Sequence, residues 1–254
     1  MLHKALCAVP GVEMHHEYAV QITQKLAVKR YLGAVDEAEA RKVLEETFGA
    51  AVSHARGDHW GDSSNKLSWL IPDLAWLFPQ ARFVHLVRDG RKVASSYFHK
   101  LGDENYDDRS NAALQDWYDG KGPMPPPEKP YWWPVPRRDD AMAGPFRRFD
   151  QFQRICWHWA EINRVAMAAL PRDRTLFVRL EDLVGSPALA RTLYEFLGLP
   201  FQGGDFAVFA RPHNVNKPED RLLDARQTTQ FEAIAGAMMA QLGYAGTPEY
   251  AVNY

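Results

Sequence analysis

The stretch Ala81-Arg82-Phe83-Val84-His85-Leu86-Val87-Arg88-Asp89-Gly90 decides the architecture of this 254-residue chain. Residues 81–87 are a short run rich in apolar and β-branched side chains, which reads as a strand buried in a parallel sheet. Arg88-Asp89-Gly90 ends it, and a helical segment follows from about Arg91 to Lys100. Strands alternating with helices argue for a mostly parallel sheet flanked by helices, the α/β class.

Working outward, Thr175 to Leu180 reads as a second buried strand. Residues 1–9 look like the tail of a helix stopped by Pro10-Gly11. Asp36-Glu37-Ala38-Glu39 has the Asp-x-x-Glu form of a helix start, and Ala40, Val43, Leu44 and Phe48 recur behind it at helical spacing. A helix is expected from about Asn65 to Phe78, kinked or broken at Pro72, and a long one from about Phe149 to Leu170. Ser186-Pro187 pairs a capping residue with a proline at the first helical position, and Gly198 stops the helix it starts. A final helix is expected from about Thr228 to Leu242. Residues 103–148 hold most of the proline and read as irregular, an insertion or substrate lid within a single domain spanning 1–254. There Trp132 and Trp133 risk exposure, and Arg137-Arg138 and Arg147-Arg148 supply charge.

Composition narrows the function. The chain is 46% hydrophobic and 24% charged, and 30 Lys plus Arg nearly balance 32 Asp plus Glu for a net charge of −2. That balance gives no global attraction to nucleic acid or acidic membranes, so an anion must be held by a local site. Cys7 and Cys156 are far apart and lack metal-ligand spacing, which argues against a disulfide framework or zinc site. No apolar stretch approaches the roughly 18 residues of a spanning helix, and a cytoplasmic protein is expected.

In open parallel sheets ligands bind beyond the carboxyl ends of the strands, where the following helix favours a phosphate. Arg88 stands at that place, and Ser96 lies eight positions on, within the helix. A guanidinium fork and a hydroxyl there are suited to grip one phosphate. The competing reading is a strand-end Arg88–Asp89 salt bridge with Ser96 as a neutral helix residue. His85 reads as a packed core histidine, and His158 as core or substrate-pocket wall.

The segment Phe83-Val84-His85-Leu86-Val87-Arg88-Asp89-Gly90-Arg91-Lys92-Val93-Ala94-Ser95-Ser96-Tyr97 resembles the 3′-phosphate-binding segment of PAPS-dependent sulfotransferases, in which an arginine after a strand and a serine eight residues later hold the nucleotide 3′-phosphate. Phe177-Val178-Arg179-Leu180-Glu181-Asp182-Leu183-Val184, leading to Phe196-Leu197-Gly198-Leu199-Pro200, is similar to a later strand, Glu-Asp turn and helix end of that family; Leu180 stands where the family often has tyrosine. Arg211-Pro212-His213-Asn214-Val215-Asn216-Lys217-Pro218 resembles the basic loop that closes over the nucleotide, carried by Arg211 and Lys217.

The resemblance implies a P-loop-NTPase-like sulfotransferase fold. It also implies PAPS as donor, PAP as product, no metal, and a small-molecule or glycan acceptor bearing a hydroxyl or amine. The family's glycine-, serine- and threonine-rich 5′-phosphosulfate loop has no counterpart, and Met1 to Val12 resembles the helix that follows it. The sequence is therefore read as starting just after that loop, without the first strand. A non-catalytic PAP-binding remnant is then the alternative to an enzyme. A nucleotide kinase is disfavoured, since no Gly-x-x-x-x-Gly-Lys-Ser/Thr motif is present. Asn65 falls at the position of the family's usual catalytic histidine and cannot act as that base. His16 and Glu17 lie where other bacterial members place a glutamate and are the catalytic candidates. Ser64 and Lys66 are candidates for the leaving phosphate or the sulfuryl group.

Overall fold

Four short strands, paired in parallel, organise the computed structural model, which describes residues 1–202, 206–210 and 222–248. In chain order the elements are α1 (Leu2–Leu6), β1 (Val12–His16), α2 (Val20–Tyr31), α3 (Glu37–Leu44), α4 (Ala50–Ser53), β2 (His59–Ser63), α5 (Ile71–Leu77), β3 (Phe83–Val87), α6 (Gly90–Lys100), α7 (Asp108–Tyr118), α8 (Ala143–Phe146), α9 (Gln151–Ala169), β4 (Thr175–Arg179), α10 (Leu180–Gly185), α11 (Pro187–Leu197), α12 (Phe206–Ala210) and α13 (Ala225–Gln241).

The α/β class holds, with parallel strands flanked by helices. The ladder differs from the single sheet expected: among the described residues β1 pairs with β2, from Val12 opposite His59 to His16 opposite Ser63, and β3 pairs with β4, from Phe83 opposite Thr175 to Val87 opposite Arg179. The two pairs share one covering layer. Val12 and Met14 of the first pair, and Val84, Leu86, Leu176 and Val178 of the second, pack into one cluster with α1, α11 and α12. Alternation along β3 sends His85 the other way, where its Nε2 meets Asn163 Oδ1 of α9 at 3.1 Å. His85 is thus the packed histidine expected.

Local chemistry sets the helix boundaries. Asp36, Asp89, Asp107, Asp150, Ser186 and Asp224 each accept a backbone N–H of the first turn that would otherwise lack a partner. Asp224 and Gln227 form a reciprocal capping box, so α13 begins before the expected Thr228. The expected helix from Asn65 to Phe78 is two pieces: a 3₁₀ turn over Lys66–Leu70, then α5 with Pro72 in its first turn, where the missing N–H costs nothing.

Residues 103–148 are largely outside regular structure but are not exposed throughout. They include α7, and Trp132, Trp133, Val135 and Phe146 are buried in the largest apolar cluster with α9 and α13. Each indole N–H is satisfied: Trp132 donates to the Pro126 carbonyl and Trp133 to that of Glu104, both at 2.7 Å. No helix among the described residues is long and apolar enough to cross a membrane.

Candidate functional site

Parallel pairing brings the ends of strands to one edge within each pair. Glu17 follows β1, Ser64, Asn65 and Lys66 follow β2, Arg88 follows β3, and Glu181 lies in the first turn after β4. One bond joins the two halves. The Asn65 side-chain amide donates to the Tyr97 hydroxyl at 2.6 Å, tying the turn after β2 to α6, next to Ser96. Burial pushes the Tyr97 hydroxyl pKa up to about 12.

The Arg88 turn is over-determined by its surroundings. Asp89 caps α6, accepting the Arg91 backbone N–H at 2.9 Å. Its carboxylate is taken bidentately by the Arg91 guanidinium, at 3.0 Å from Nε and 2.7 Å from Nη2. The partner of Asp89 is therefore Arg91, and the strand-end salt bridge with Arg88 does not form. The Asp89 N–H donates to Glu181 Oε1 at 2.9 Å, while Glu181 Oε2 accepts the Tyr244 hydroxyl at 2.7 Å. Gly90 is required by crowding, because a Cβ there would stand 2.7 Å from the Trp159 ring and 2.8 Å from Phe231. Arg88 emerges from this frame half-buried, and its Nε is enclosed without a hydrogen-bond partner among the described residues. A buried guanidinium donor of this kind calls for an acceptor. Ser96, also half-buried, lies on the same strand–helix unit, about two turns into α6.

A second cluster forms at the end of the β1–β2 pair. Lys66 is buried, its ammonium pairs with the Glu17 carboxylate, and it stands 5.4 Å from the centre of the Trp133 ring. Burial lowers the Lys66 amine from its usual range, with Glu17 acting against that shift. Glu17 and Ala19 both adopt left-handed backbone, φ 56° and 49°, a strain that is maintained only where neighbours enforce it. Here the Glu17 N–H is held by the Ser63 carbonyl at 3.2 Å. The same carbonyl lies 2.8 Å from His16 Nδ1; a carbonyl only accepts, so Nδ1 carries a hydrogen, and in the neutral ring the lone pair is on Nε2. Ser64 Oγ accepts the Lys66 backbone N–H at 3.2 Å.

Of the candidates, Lys66 meets Glu17 and Ser64 at the end of the β1–β2 pair, with His16 on the Ser63 carbonyl beside them, while Arg88 and Ser96 share the β3–α6 unit, to which the Asn65–Tyr97 bond ties the turn after β2. Arg211 and Lys217 lie outside the described residues. Tyr97, Glu181 and Tyr244 were not identified from sequence, since a tyrosine in a helix or tail carries no local sign of its partner. Among the described residues no group of three or more His, Cys, Asp or Glu is placed to hold a metal.

Residues 4–121, which include Arg88, Ser96, Glu17 and Lys66, match the model of a family described as "Sulfotransferase family". That match supports the resemblance carried by the Arg88 segment. Among solved structures the chain is similar to the "Sulfotransferase Domain from the Curacin Biosynthetic Pathway", at 13% identity and a TM-score of 0.44, covering 96% of this chain and 87% of that one. A likeness so loose carries no weight for function. No curated protein matches the chain.

Proposed function

We propose that this chain, with the sulfotransferase pattern over residues 4–121, transfers a sulfuryl group from PAPS to a hydroxyl or amine acceptor. The observation that carries this reading is the enclosed Nε of Arg88, unpartnered among the described residues, at the carboxyl end of β3, beside the N-terminus of α6. With Asp89 neutralised by Arg91, the local field favours an anion, and the α6 dipole adds to it. In this reading Arg88 and Ser96 hold the ribose 3′-phosphate, and Arg211 and Lys217 close over the nucleotide.

At the other cluster Ser64 and Lys66 face the 5′ side of the donor. The acceptor oxygen or nitrogen forms its bond to sulfur as the bond from sulfur to the 5′-phosphate oxygen breaks, and that electron pair leaves with PAP. The acceptor proton goes to the Glu17 carboxylate or to His16 Nε2, both at the end of β1. Catalysis of this kind rests on positioning and charge stabilisation, which the rigid turns on both sides provide. The cytoplasmic setting expected from the sequence belongs to the same reading.

Calorimetry with PAP, ADP and the 3′-dephospho analogue tests the nucleotide half, and label transfer from PAPS to added acceptors tests the chemistry. Equal affinity for PAP and its 3′-dephospho analogue sinks the assignment. A 3′-phosphate preference without turnover leaves a PAP-binding protein that is not an enzyme.

A further inference from the structure

Three consecutive residues between β1 and α2 are held by the last two residues of β2. The Ser63 carbonyl accepts the Glu17 backbone N–H at 3.2 Å and lies 2.8 Å from His16 Nδ1. The Tyr18 N–H donates to Asp62 Oδ1 at 3.1 Å.

This turn needs an outside hold. Glu17 and Ala19 both adopt left-handed backbone, which side chains larger than glycine disfavour. α2 starts directly behind them with Ala19 at its N-cap position and no side chain capping the first turn. Asp62 supplies from β2 what Ala19 lacks, an acceptor just ahead of the helix, where a carboxylate also suits the helix dipole. The ring of Tyr18 is anchored as firmly as its N–H. Its centre stands 5.1 Å from that of His15, 5.5 Å from that of Trp60 and 5.5 Å from that of Phe48. Alternation along β2 puts Trp60 and Asp62 on one face, so the same face fixes both the ring and the amide.

Asp62 is a costly choice for packing alone. Its Oδ2 is enclosed and has no partner among the described residues. Burial raises its carboxyl pKa, against the opposing pull of the Tyr18 and Ser63 N–H groups. An apolar side chain would avoid that cost, so the bond to Tyr18 accounts for the acid.

We propose that Asp62 is a positioning residue for Glu17: through the Tyr18 N–H it holds the left-handed turn that brings the Glu17 carboxylate to Lys66. The inference rests on the sulfuryl-transfer reading in which Glu17 takes the acceptor proton. Without the bond the turn relaxes, and Glu17, one residue away, loses its direction toward the buried Lys66 ammonium.

NMR titration of the Lys66 amine in the full chain reads this geometry without any turnover. Glu17 opposes the burial that lowers the Lys66 pKa, so releasing Glu17 should lower it further. Asp62→Leu keeps the approximate shape and removes the acceptor; it should shift Lys66 downward, as Glu17→Gln does. The double variant should shift no further than Glu17→Gln alone. Asp62→Ala, which loses shape as well, should give the same shift, and Asp62→Asn, which keeps an acceptor oxygen, should stay near the parent. In turnover with PAPS, Asp62→Leu is expected to lower kcat about tenfold to a hundredfold, the scale of a misplacement near one ångström. KM for PAPS and PAP affinity should hold, and Asp62→Asn should recover most of kcat. A parent-like Lys66 titration in both Asp62→Leu and Asp62→Ala overturns the proposal, as does an additive double variant. An Asp62→Asn protein as impaired as Asp62→Leu also overturns it, since charge and not the bond would then matter. A parent protein without turnover, whose Lys66 responds to Asp62→Leu as expected, removes the sulfuryl-transfer reading and upholds the hold of Asp62 on Glu17.

Discussion

Glu181 accepts the backbone N–H of Asp89 at 2.9 Å, so a carboxylate following β4 fixes the turn that presents Arg88 after β3. Tyr244, beyond α13, donates to the other oxygen of that carboxylate, and Arg179 reaches the Gly243 carbonyl at 2.7 Å. The segment after α13 therefore braces the candidate anion site from a distance of many residues.

Removing that brace should loosen the turn without touching the anion. Asp89 is buried, so Glu181→Ala leaves an enclosed N–H unpaired, at a cost of about 1–3 kcal/mol. The expected outcome is a lower melting temperature together with weaker PAP binding by calorimetry. Glu181→Gln, which keeps an acceptor oxygen, should recover most of both.

Arg88→Ala should weaken PAP by about 2 kcal/mol, roughly thirtyfold, the scale of a hydrogen bond to a charged group. Binding of the 3′-dephospho analogue should hardly change. Arg88→Lys should recover only part of the loss, because an ammonium cannot reproduce the guanidinium fork. Equal losses for both nucleotides would place Arg88 outside the 3′-phosphate site.

Gly90→Ala inserts a methyl group against Trp159 and Phe231, at separations below any ordinary contact. Overpacking of this kind costs about 1–3 kcal/mol, and thermal unfolding should register it. An unchanged melting temperature would mean that α6 shifts freely, which contradicts a fixed Arg88 turn.

The Lys66 amine sits below its unfolded value of 10.5 because burial disfavours its charged form. Between the folded and unfolded values the unfolded chain binds more protons, so this group makes the protein gain stability as pH rises through that window. Glu17→Gln removes the charge that opposes the shift, so the rise should begin at lower pH than in the parent. Melting temperatures across the alkaline range check it, and a parallel pair of curves would refute the ion pair. Turnover with PAPS should fall in the same variant if Glu17 is the base.

His158 gives the opposite flank. Its pKa is about 3 when folded against 6.5 as the ordinary value, so the unfolded state takes up the proton first and stability is lost as pH falls through that interval. His158→Gln should flatten the acid limb of the stability profile. An acid limb of unchanged slope would show that His158 is not held neutral.

The sequence alone determined the β3–α6 unit, the helix starts at Asp36 and Ser186, the stop at Gly198, the long helix α9, and the placing of Arg88 and Ser96 on one strand–helix unit. These features depend on periodicity and capping chemistry within a few residues, which a linear reading contains. Tertiary structure decided the rest. β1 and β2 are polar and short, and become strands because neighbours cover them. Trp132 and Trp133, in a proline-rich stretch that reads as exposed, are buried because α7, α9 and α13 close around them. Glu17 and Lys66 lie 49 residues apart and Asn65 and Tyr97 lie 32 apart, and nothing in either residue's local sequence names its partner. The physical reason is that an ion pair, a committed tautomer or a buried unpaired donor is a property of the enclosure, and enclosure is made by residues distant along the chain.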